Sequence, residues 1–176
     1  KALGAVVLAT LAAAEPAVAA TQGSQGATST GSISISASVP SRVRISGLSD
    51  IAFTNADPTV DASNAQSICV WSNTSTKGYN VTATGSGAGN AFTLSNASLT
   101  VPYTVEWSAT AGQSSGTALS AGAALTGLTS TAANANCASG PSASASLVVK
   151  IPSANLQAMQ ASTNYTGTLT LVVAPE

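Results

Sequence analysis

The chain has 176 residues and a formal net charge of −1; 44% of it is apolar, but only 4% is aromatic and 6% charged. That length is one domain's worth, and so little charge is unlike a solvated disordered coil and gives no electrostatic footprint for nucleic acid or anionic lipid. Histidine is absent, which excludes Ser–His and Cys–His nucleophilic sites and most zinc sites.

Residues 1–20 differ in kind from the rest. Lys1 precedes the apolar run ALGAVVLATLAAA, then Glu15-Pro16 and AVAA. A basic start, a short apolar run and small residues at −3 and −1 describe a secretory signal peptide, cut after Ala19 or Ala20. The run is too short for an ordinary transmembrane helix; a buried Ala-rich helix is the competing reading. The expectation is an exported protein without stable membrane insertion.

Thr21 to Thr30 is polar and turn-rich. Gly31 to Pro40 then reads GSISISASVP, in which Ile33, Ile35, Ala37 and Val39 alternate with serines. This is the pattern of a half-buried strand, yet no partner strand precedes it. SRVRISGL predicts a second strand through Val43 and Ile45, and DIAFTNADPTVDASN a turn-rich connection. QSICVWSN and GYNVTATG predict a hairpin across TSTKG. In TVPYTVEW, Val101, Tyr103, Val105 and Trp107 share one face. Ser108 to Ala135 reads as loop with one weak strand around GAALTGL. ASASLVVKIP is a strand with Leu147, Val149 and Ile151 inward. SANLQAMQAS reads as a crossing between sheets, with room for one helical turn. YTGTLTLVVAPE places Tyr165, Gly167, Leu169, Leu171 and Val173 on one face. About seven short strands separated by turns predict an all-β antiparallel sandwich.

The residues that carry chemistry are few. Beyond residue 20 the carboxylates are Asp50, Asp57, Asp61, Glu106 and Glu176. Asp57 and Asp61 lie in a turn-rich segment, where Asp mainly bonds nearby backbone, so neither a catalytic pair nor a metal site is expected. No Gly-rich phosphate loop is present. The expectation is a protein that is not an enzyme and needs no cofactor. Asn73, Asn80, Asn96 and Asn164 each fit the N-glycosylation rule, at the rate chance allows in so Asn-, Ser- and Thr-rich a chain. Trp71 and Trp107 lie inside strand patterns and read as core before sugar-stacking platforms. Cys69 and Cys137 are too far apart for a CxxC motif. In an exported chain an isolated pair reads as one structural disulfide, with two buried thiols as the alternative.

Several of these segments, taken in order, resemble the archaic chaperone–usher pilins, the family that includes spore coat protein U. They are the apolar leader, the alternating strand behind it, CVWSNTSTKGYNVTATGSG, LTVPYTVEW and the closing NYTGTLTLVVAPE. The chain departs from the family in ending Ala174-Pro175-Glu176, where many members end near an aromatic residue, and in the placement of its first cysteine.

The resemblance covers Thr21 to Glu176 and implies an incomplete immunoglobulin-like sandwich, completed by a donor strand from a neighbouring subunit. Residues 21–40 would be the extension and donor strand, and 41–176 the pilin domain. The donor residues would be Ile33, Ile35, Ala37 and Val39, with Ala27 further out; the acceptor groove's edge would include Leu169, Leu171 and Val173. The implied partners are copies of the same chain, a periplasmic chaperone and an outer-membrane usher, and the implied location is a cell-surface fibre for adhesion or biofilm formation. An adhesive or sugar-binding module, a tip or minor subunit, or a spore-coat component is the alternative.

Overall fold

The computed structural model describes residues 19–96, 99–161 and 163–176. The signal-peptide reading falls almost wholly on residues 1–18, outside the described residues. The chain divides between Val39 and Pro40 into two compact units.

In the first unit, Thr21 and Ser32 form an antiparallel bridge through paired backbone bonds of 2.9 and 3.1 Å. The polar lead-in thus folds back onto the start of the alternating run. Residues 33–39 form no strand in the single chain, contrary to the pattern's expectation. The physical reason is that a strand without a ladder partner has nothing to satisfy its backbone. Ile33, Ile35 and Val39 are 73%, 86% and 83% exposed.

The second unit is an all-β antiparallel sandwich. Its strands are β1 (Val43–Ser46), β2 (Ala62–Ser72), β3 (Gly78–Gly85), β4 (Thr93–Ser95), β5 (Thr100–Pro102), β6 (Thr104–Ser108), β7 (Thr117–Ala118), β8 (Ala124–Thr129), β9 (Ala145–Ile151) and β10 (Leu169–Pro175), with one short helix, α1 (Ser153–Gln157). One sheet runs β1-β2-β9-β6-β7, a second β10-β3-β8, and β4-β5 form a small ribbon.

The core lies between the two larger sheets. Ile68 and Val70 of β2, Leu147, Val149 and Ile151 of β9, and Val105 and Trp107 of β6 are buried with Tyr79, Val81 and Ala83 of β3. Each set recurs with period two because alternate strand residues share a face. At the centre, Trp107 Nε1 donates to the Tyr79 hydroxyl at 3.2 Å, the rings meeting edge to face. This satisfies the indole N–H, which a dry core would otherwise leave unpaired.

Two expectations need correcting. β2 and β3 do not form a hairpin: β2 pairs with β1 and β9, β3 with β10 and β8. The turn between them, with Lys77 at φ 54°, carries the chain from one sheet to the other, so both apolar faces reach one core. The TVPYTVEW run breaks at Tyr103 into β5, paired with β4, and β6, paired with β9 and β7. Leu147, Val149 and Ile151 of β9 point inward as expected, and its other face, including Ser146 and Val148, is buried too. Loop residues cover its outer side: Ser146 Oγ donates to Thr110 O and accepts from Gln113 N.

Cys69 and Cys137 are joined in a disulfide 68 positions apart in sequence. Together with Ala132 and Trp71 they form a small apolar cluster on the face of β2 opposite the core. No helix among the described residues is long and apolar enough to cross a membrane.

Candidate functional site: a groove beside a free strand edge

Among the described residues, β10 ends the three-stranded sheet and pairs only with β3. Ser86 N donates to Thr168 O and Glu176 N to Gly78 O. Hydrogen-bonded positions alternate along an antiparallel pair, so the even-numbered residues of this stretch turn their backbone toward β3. The N–H and C=O groups of Leu169, Leu171 and Val173 therefore point away from it, where no strand pairs among the described residues. Their side chains are half-buried against the core, while Val172 between them is exposed. The same three residues thus present both inward apolar side chains and an unused hydrogen-bonding edge.

Beside this edge a groove of about 1520 Å³ opens. That exceeds the ~300–1,000 Å³ of small-molecule pockets and suits a length of polypeptide. Tyr103, Leu147, Val149, Ile151 and Leu156 line it, and they belong to or border the buried core. Leu169 and Leu171 line one wall with Tyr165 to Gly167. Val173 packs on the core but does not line the groove, and β1 lies near β10.

The opposite wall is the connection from Leu48 to Ala56, which the sequence presents as a turn. Its ends are anchored. Gln66 Nε2 donates to Ser49 O at 2.7 Å, and Ser49 N to Gln66 Oε1 at 3.1 Å. At the far end Gln157 Nε2 donates to Pro58 O, and Ser153 N to Asp61 Oδ1 at 2.7 Å. Between them Ile51 and Phe53 pack half-buried on the core. The alternation in DIAFTN was the signal for this wall, masked by its Asp, Asn and Pro neighbours.

The segment before β10 packs closely on β4. Thr166 and Ser95 exchange backbone bonds of 2.9 and 2.8 Å. A Cβ on Gly167 would lie 2.7 Å from Thr93 O, so only glycine permits this approach.

The electrostatics are quiet. Asp57 accepts from the backbone N–H and hydroxyl of Thr59, and Asp61 from Ser153 N; these bonds hold both carboxyls below their ordinary value. Both act as local backbone anchors. Burial pushes the Tyr103 phenol upward. Among the described residues no group of three or more Cys, Asp or Glu is placed to hold a metal. The donor candidates Ile33, Ile35, Ala37 and Val39 belong to the first unit, where all four are exposed.

No protein-family model matches the chain, and no curated protein matches it. Among solved structures, one similar chain comes from work described as "Chaperone-tip adhesin complex is vital for synergistic activation of CFA/I fimbriae biogenesis", with a TM-score of 0.48 and 14% identity over 77% of this chain. The match spans 41% of that chain's length.

Proposed function

We propose that the chain is a structural subunit of an extracellular chaperone–usher fibre and does no catalysis. It polymerises by lending its residues 31–39 to the groove of the next copy. The observation that carries this reading is the pairing of an unused edge with a matching unused strand. Leu169, Leu171 and Val173 face outward with their backbone and inward with their side chains, while Ile33, Ile35, Ala37 and Val39 repeat with the same period and are exposed.

Lengths agree as well. Residues 33–39 and the seven residues of β10 each span about 20 Å as strands. Strand addition of this kind draws affinity from main-chain bonds and specificity from alternate side chains. Burying the donor row contributes roughly 5–8 kcal/mol by transfer area and covers an edge that otherwise invites aggregation. A periplasmic chaperone holding the groove before assembly, and an outer-membrane usher directing the exchange, complete the reading.

The test is deletion of residues 27–39 in the producing cell, followed by electron microscopy of sheared surface material. Fibres are expected to disappear while the disulfide-bonded subunit is still exported. Fibres that persist refute donor-strand assembly.

A further inference from the structure

An alternating strand has an ambiguity that its own pattern does not resolve. A slip of one residue turns the apolar row outward and is strongly disfavoured. A slip of two keeps the row inward, so Ile33, Ile35, Ala37 and Val39 can enter the groove in several registers. Something on the acceptor must choose among them.

Tyr103 has the properties to do so. It lines the groove and is only 6% exposed. Its ring stacks on Phe92 with centroids 5.7 Å apart, and its backbone N–H bonds Phe92 O at 2.9 Å, so it is held in place. Of the three tyrosines, Tyr79 receives the Trp107 indole N–H and Tyr165 receives Gln160 N. The Tyr103 hydroxyl has no partner among the described residues. Nor is it sealed: Asn64 Oδ1 is the one described side-chain polar atom both shut from solvent and unpaired. The hydroxyl therefore keeps access to solvent.

Resting on the reading above, we propose that Tyr103 sets the register of the incoming strand by accepting only its smallest inward residue, Ala37, over the hydroxyl. A methyl group leaves space for the hydroxyl to keep a water or reach the strand. Ile35 or Val39 in that place, after a two-residue slip, buries the hydroxyl dry. An unpaired buried hydroxyl weakens binding by about five- to a hundredfold.

The experiment uses the full chain and a fluorescent peptide of residues 31–40, with affinity read by anisotropy. Ala37→Ile in the peptide is expected to weaken binding at least tenfold to the unsubstituted chain, and Tyr103→Phe in the chain to restore it to within about threefold. Ala37→Ser, which offers the hydroxyl a partner, is expected to bind the unsubstituted chain about threefold or more tightly, an advantage lost on Tyr103→Phe. Equal loss for Ala37→Ile on both proteins, or no loss on either, overturns the register role while leaving donor-strand assembly standing. Absence of binding by every peptide to every protein overturns that assembly itself and the register role with it.

Discussion

Around Cys69 the sandwich is closed by every available means, whereas around Leu171 it is left open. On the closed flank a disulfide ties β2 to the 130–144 loop, and that loop's serines complete the ladder. Ser144 Oγ accepts from Val70 N and donates to Val70 O, which also receives the Ser130 hydroxyl. On the open flank, Leu169 and Leu171 are half-buried, their backbone edge has no strand partner among the described residues, and the facing wall packs by Ile51 and Phe53 between anchored ends. The difference shows where each flank's free energy goes. One flank is tied within the fold; the other leaves an edge and an apolar face without a strand partner among the described residues.

Three perturbations test that division. The largest effect is expected from replacing both Cys69 and Cys137 by alanine, which removes about 4 kcal/mol by the chain-entropy estimate for a loop of this length. Urea unfolding measures it, and a loss below about 1 kcal/mol would mean the closed flank does not depend on its covalent tie. A middle-sized contrast comes from Ser144→Ala against Leu171→Thr. The first leaves Val70 N–H without its acceptor and costs about 1–3 kcal/mol of stability, with peptide uptake unchanged. The second costs about 1 kcal/mol or less at a half-buried site, yet lowers uptake of the 31–40 peptide about tenfold. Reversal of that pattern would break the comparison.

The smallest effect lies away from both flanks, at Glu106. It accepts from Lys150 Nζ at 2.7 Å and from Gly116 N at 3.0 Å. The Lys150 bond chiefly holds its carboxyl below the ordinary 4.5, against the opposing effect of burial. A depressed folded value means this stabilisation is complete above 4.5 and fades as pH falls through the lowered value. Acid titration of the unfolding midpoint is expected to show the decline below about pH 5, and Glu106→Gln to remove its share, at most about 1 kcal/mol.

Much of the sandwich was legible in the sequence because its strands obey a strict period. Val101, Tyr103, Val105 and Trp107 alternate without a fault, and all four are buried. Partner choice was less legible. CVWSN and GYNVT read as a hairpin because the turn between them is short, but pairing is decided by which long-range neighbours complete each sheet. That information lies in β9 and β10, far along the chain. The groove was half legible. Its β10 edge shows in TLTLVV, but its other wall, Ile51 and Phe53, sits among turn formers that dominate local reading. The importance of Tyr103 was hidden for a different reason: in a one-dimensional pattern a tyrosine that has a hydrogen-bond partner and one that lacks it look the same.

Pro175 gives the open edge a further property. The outward-facing positions of β10 are residues 169, 171, 173 and 175, and proline has no N–H to offer. The edge therefore supplies donors at Leu169, Leu171 and Val173, and none at its fourth position. A strand that paired along this edge would find three N–H groups and then a position with none, unlike an unbroken edge.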